Sequence, residues 1–321
     1  MRRSFIMGLL LLSAQKNFAA IRKNQVTPEV RSAITVAVID TGADIDHREL
    51  KDYIWTNPGE SGLDQWGHDK ATNGIDDDGN GYADDLHGWN FVTNTNDLLD
   101  SMGHGTHISG IIKNESSKSL FSKNSPTVKL MILKYYDAEA SDSQNIENTV
   151  KAINYAVKMG AQIINYSGGG SLPSRPELAA ITEANKRQIY VVAAAGNNSK
   201  NTDIIGYYPA DYRLPNIISV AATDKYGELV SFSNFGPNSV TLAAPGQHVF
   251  STMPGNKFGF MSGTSQSTAF VTGALALKLW ENPANKDPQK MLPSLIHEGK
   301  FNKTLVGKTK FQIALMGSNT P

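Results

Sequence analysis

Apolar positions along the chain fall into two alternating kinds of run. Ile34-Thr-Val-Ala-Val-Ile39 is short and β-branched and ends at Asp40 and Gly42, which predicts a buried strand stopped by a turn. Ile163-Ile164, Ile189 to Ala195 and Ile217 to Ala222 predict further buried strands. Between them the period becomes helical. Ile146, Val150, Ile153 and Val157 share one face, with Gly160 as the stop, and Ser174-Arg-Pro-Glu177 reads as a capping box opening a helix to about Arg187. A long apolar helix is predicted from Ser265 to about Trp280, ending before Pro283. Continuous apolar strands alternating with helices imply an α/β fold of three layers, a mostly parallel twisted sheet with helices on both faces. Ligands of such sheets bind beyond the carboxyl ends of the strands, where Asp40 and Asn197 both fall. From about Asp52 to Asp100 the chain is irregular and rich in Asp, Asn and Gly, a length that points to a functional loop.

Composition narrows the classes. The 321 residues suffice for one large α/β domain. Thirty basic and thirty acidic residues cancel, so no electrostatic footprint for nucleic acid or an anionic membrane is present. The absence of cysteine excludes disulfides, zinc–thiolate sites, a cysteine nucleophile and lipid attachment through cysteine. The start of the chain, with Arg2, Arg3 and an apolar run from Phe5 to Leu12, is too short to span a bilayer and fits a signal peptide over residues 1–20. Residues 21–33 then form a short stub, and residues 34–321 the main domain, exported to a periplasm or beyond the cell and free of the membrane once the signal is removed.

Three segments carry chemistry. VAVIDTGADIDHREL puts Asp40 at a strand end, GHGTHISG starts a helix at His104, and MSGTSQSTAFVTGA places Ser265 at a helix N-terminus. A serine hydroxyl needs an adjacent imidazole to take its proton, and the imidazole needs a carboxylate to hold its tautomer. A helix N-terminus favours negative charge developing beside it. In the order Asp–His–Ser the three segments resemble the signatures of the subtilisin-like serine peptidases, the subtilases. The resemblance extends through VVAAAGNNS, INYSGGG, YPADY, IISVAATD, SFSNFGP and LAAPG, from roughly Ile34 to Met316.

That resemblance implies a subtilisin-like fold and a secreted serine endopeptidase acting on polypeptides as a monomer. It implies Asp40, His104 and Ser265 as catalytic triad, Asn197 as oxyanion donor, and Ser167, Gly168 and Gly169 as the strand that contacts substrate. It also implies a cis peptide bond between Tyr208 and Pro209. Three departures stand out: Gln266-Ser-Thr-Ala-Phe270 replaces the usual Met-Ala-(Ala or Thr)-Pro-His, Gly168 stands where a leucine is usual, and the stub is too short for a folding propeptide.

NGIDDDGNGYADD, residues 73–85, places oxygen-bearing groups at alternating positions and resembles EF-hand-like calcium loops. The expected ligands are Asp76, Asp78, Asn80, the Tyr82 carbonyl and Asp84, holding a structural Ca²⁺. Zinc is disfavoured, since His104 and His107 belong to no H-E-x-x-H motif, and His107 is expected to be structural. An α/β-hydrolase is a poor rival because Gly263-Thr-Ser265-Gln-Ser267 lacks the final glycine of that nucleophile motif. The alternative from another class is a non-catalytic binding protein on the same scaffold.

Overall fold

The β-branched segments lie side by side at the centre of the molecule. A computed structural model describes residues 32–118, 127–284 and 287–316, and Ala33–Pro321 forms one compact unit. The signal peptide and nearly all of the stub expected over residues 1–33 lie outside the described residues. In chain order the strands are β1 (Ile34–Asp40), β2 (Gly88–Asn90), β3 (Val128–Lys134), β4 (Ile163–Tyr166), β5 (Tyr190–Ala194), β6 (Ile217–Thr223), β7 (Leu242–Pro245), β8 (Val249–Met253), β9 (Lys257–Met261), β10 (Lys300–Phe301) and β11 (Ile313–Ala314). Their order in the main sheet is β10-β11-β7-β6-β5-β4-β1-β3-β2, parallel throughout except for β10 against β11. β8 and β9 form a separate antiparallel hairpin.

Alternation along β1 divides the core in two. Val36 and Val38 face Ile108 and Ile112 of helix α1 (His104–Ser116), and Leu275 and Leu279 of the later helix α4 (Thr264–Glu281) join the same cluster. Ala37 and Ile39 point the other way, into a cluster with Ile153 and Ala156 of α2 (Asp142–Lys158) and Ile181 and Ala184 of α3 (Arg175–Lys186). Strands buried on both faces must be apolar at every position, which is why β1 shows no polar alternation. A fifth helix, α5 (Pro288–Glu298), adds Met291 and Leu295 to the first cluster. The helical expectations hold to within about one residue except at the start of α2, which begins earlier than its apolar stripe because Ser141 caps it, accepting from Gln144 N.

β3, between β1 and the edge strand β2, is an interior strand that the pattern above leaves unmarked. Lys129 and Lys134 flank its four-residue run Leu130–Leu133 and shorten the apolar signal, while the lysine heads reach out to the Asp52 and Leu99 carbonyls. β2 lies inside the irregular region, and Gly88 is required there: a Cβ would stand 1.9 Å from Ile132 O. The Tyr208–Pro209 bond is cis, as the resemblance implies.

Candidate active site

The parallel order of β1, β4 and β5 brings their carboxyl ends to one edge, and Asp40, Ser167 and Asn197 follow those ends. Asp40 is buried and its Oδ1 lies 2.7 Å from His104 Nδ1. The same oxygen accepts from Thr41 N at 2.8 Å. Burial disfavours a charged His104, yet the Asp40 carboxylate and its hydrogen bond, helped by Asp100, raise the imidazole above its ordinary value. His104 can stand so close because Gly105 has no side chain: a Cβ there would meet Gly42 O at 2.0 Å.

Asp100 was not foreseen. Its Oδ2 accepts from Thr106 N and Thr106 Oγ1, and its Oδ1 from Gly103 N and Thr41 Oγ1. Thr41 Oγ1 in turn accepts from Gly105 N at 3.0 Å. One buried carboxylate thus caps α1 and ties it to the turn after β1. Its only sequence signal is an acidic residue just before a helix start.

Ser265 is the second residue of α4, and its Oγ donates to Ser167 O at 2.8 Å rather than to His104. Ser167 and His104 line one hollow of about 220 Å³ together with Asp40, Thr41, Met102, Tyr135 and Tyr136. Asn165 Nδ2 donates to Ser167 Oγ (2.9 Å) and Thr272 Oγ1 to Asn165 Oδ1 (2.8 Å), fixing the cleft strand to α4. Asn197 Oδ1 accepts from Thr264 N and Oγ1, both at 2.9 Å, so the side chain caps α4. Its Nδ2 forms no hydrogen bond among the described residues and is available to a ligand. The unusual residues after Ser265 are accommodated: Ser267 Oγ donates to Ala244 O at 2.9 Å, using space that Gly246 leaves open, and Ala269 sits fully buried in an unbroken helix.

His107 lies beneath this site with no exposure. Its Nε2–H donates to Val249 O (3.0 Å) and Gly259 O (3.3 Å), pinning α1 to the β8–β9 hairpin. Burial lowers its pKa to about 4, so the ring is neutral.

The acidic loop closes differently from a simple alternation. Asp76 accepts from Asn80 N and Gly81 N, and Asp84 turns to Gly74 N. Asn80 sends its Nδ2 to Asp85 Oδ2 (2.8 Å), while the Tyr82 ring packs on Trp89, Phe91 and Tyr155. Of the five expected ligands, Asp78 joins a second group: Glu60, Asp78 and Asp85 bring carboxylate oxygens within 4.8 Å of one another. Glu60 and Asp85 are fully buried, and burial is the main cause raising both of their pKa values. Asn57 Nδ2 bridges Asp78 and Asp85, and Tyr155 Oη donates to Asp85, but Glu60 Oε2 has no partner. An orphaned buried carboxylate oxygen aimed into an all-oxygen group fits a hard cation such as Ca²⁺. Glu60 escaped sequence reasoning because it stands 13 residues before the loop begins at Asn73.

Comparison with known proteins agrees with this geometry. The model of the subtilase family matches residues 31–305. The chain is 34% identical over 243 residues to the Thermophilic serine proteinase of Bacillus sp. (strain AK1), covering 75% of this chain and 51% of that protein. It is 36% identical over 249 residues to the Major intracellular serine protease of Bacillus subtilis (strain 168), covering 76% and 67%. The crystal structure of a cold adapted subtilisin-like serine proteinase superposes with a TM-score of 0.66 at 26% identity, covering 88% of each chain. The chain spans about half the length of the Bacillus sp. relative. With the family model matching most of its length and a relative 36% identical over 76% of the chain, the chain belongs to the subtilase family.

Proposed function

We propose that this chain is a serine endopeptidase working through an acyl-enzyme. Ser265 Oγ attacks the scissile carbonyl carbon while His104 Nε2 takes its proton, and Asp40 holds the Nδ1–H tautomer and stabilises the imidazolium. Asn197 Nδ2 and the N-terminus of α4 stabilise the oxyanion. Collapse breaks the C–N bond and the amine leaves with the proton from His104; water, deprotonated by His104, then releases the acid and restores Ser265. Ser167, Gly168 and Gly169 pair with the substrate backbone as an added strand. The observation that carries this reading is the 2.7 Å contact of His104 Nδ1 with buried Asp40 on a hollow that Ser167 also lines, with Ser265 Oγ donating to the Ser167 carbonyl. A phosphonate or sulfonyl fluoride should label the protein, and labelling should vanish in Ser265→Ala. Folded protein that is neither labelled nor able to hydrolyse casein would instead be a binding protein on this scaffold.

Two further parts belong to the proposal. Glu60, Asp78 and Asp85 hold a structural Ca²⁺ that supplies the positive charge the buried Glu60 and Asp85 and the exposed Asp78 lack. Export rests on the basic and apolar start of the chain, although a relative at 36% identity is named an intracellular protease. N-terminal sequencing of protein recovered outside the cytoplasm tests it; an intact Met1 in a cytoplasmic product would refute it.

A further inference from the structure

Next to the reactive hollow lies a second, of about 290 Å³, which the mechanism does not use. The two share Tyr135 and Tyr136. Glu177, 3% exposed, lines it from the first turn of α3. In a complete capping box the Glu177 carboxylate would accept from Ser174 N; here Ser174 N donates to Tyr212 Oη at 2.8 Å instead. Tyr212 Oη donates in turn to Glu177 Oε2 at 2.8 Å, so the carboxyl is held by a tyrosine rather than by its own cap, and Glu177 lines the hollow. Burial dominates and raises its pKa, and no lysine, arginine or histidine is among the lining residues. A second acid, Asp142, stands exposed on the rim.

The walls are aromatic: Tyr135, Tyr136, Tyr166 and Tyr208. The wall at Tyr135 depends on the glycine that departs from the family pattern, because a Cβ on Gly168 would meet Tyr135 Oη at 2.1 Å. A hollow with two carboxylates, four electron-rich rings and no fixed cation is built for a positively charged guest. Gly169, the last residue of the segment proposed to pair with the substrate backbone, and Gly170 after it also line the hollow.

We propose that this hollow receives a lysine or arginine side chain of the polypeptide substrate, with Glu177 as the residue that sets the preference. The proposal rests on the peptidase reading above. A neutral side chain of the same length leaves Glu177 and Asp142 without a cationic partner, and that difference is the source of selectivity.

Quenched fluorescent peptides varied at the four residues on each side of the scissile bond, with lysine, arginine, norleucine, leucine or glutamate at each, test it. At one position lysine or arginine should exceed norleucine by about 10-fold in kcat/KM. Glu177→Gln should bring that ratio to within about 2-fold of unity, and Asp142→Asn should lower it by less. The wild-type ratio and the exposed Asp142 variant decide the matter even if Glu177→Gln fails to fold. Cleavage with no position favouring a basic residue overturns the proposal, as does a preference that Glu177→Gln leaves intact. Protein that cleaves no peptide and takes no label at Ser265 overturns the peptidase reading itself, and this proposal with it.

Discussion

Asn197 has one observed role and one proposed. Its oxygen caps α4 through Thr264, and its nitrogen, which makes no hydrogen bond among the described residues, is the proposed oxyanion donor. Asn197→Asp keeps the acceptor and replaces the donor, so it separates the two roles. Its kcat should fall by about 10²–10³, the range known from another subtilisin-like enzyme for loss of this donor, with the melting temperature unchanged or slightly raised. Equal melting with undiminished kcat would remove Asn197 from the oxyanion site. His104 makes a second prediction at this scale. Asp40 raises its pKa, and the base must be neutral, so kcat/KM should rise with pH through an apparent pKa above 6.5. Asp40→Asn should shift that limb downward and leave little activity, because both the charge and the tautomer are lost. An unmoved limb would mean that another group is titrating.

Elements, rather than residues, decide whether the site assembles. α1 is seated by Gly105 against the Gly42 carbonyl, by Asp100 at its N-terminus, and by His107 on the hairpin. His107 ties that seating to pH. Its pKa is depressed to about 4, so the folded state binds fewer protons than the unfolded chain once the pH drops below the ordinary 6.5. The stabilisation is whole above 6.5, is lost progressively toward 4, and amounts to something on the order of 3 kcal/mol. Denaturant midpoints at pH 7 and pH 4.5 should therefore separate further in the wild type than in His107→Gln, which can still donate to a carbonyl. Equal separations would show that His107 contributes nothing to acid sensitivity.

For the whole molecule, under the calcium proposal, stability depends on the long connection between β1 and α1. Its carboxylates repel one another unless a cation or protons neutralise them. Chelator should lower the melting temperature by several degrees, calcium should restore it, and Glu60→Gln should make the protein insensitive to both. A melting temperature indifferent to chelator would sink the calcium proposal.

Fold class and family were legible because each rests on local pattern. β1 is apolar at nearly every position, being buried on both faces, and Asp40, His104, Ser265 and Asn197 each sit in a short segment that resembles a family signature. Other features depend on groups far apart in sequence meeting in space. Glu60 reaches Asp78 and Asp85 only because the loop folds back on itself, and Glu177 leaves its own helix cap only because Tyr212 arrives to take the place. Tyr135 walls a hollow only because Gly168 leaves it room. The sequence by itself determined the alternation of buried strands with helices and the segments that carry Asp40, His104 and Ser265, since periodicity and short-range sterics are written residue by residue. Tertiary structure alone decided which carboxylates are buried together and what the second hollow can hold, because burial and convergence are properties of the packed whole.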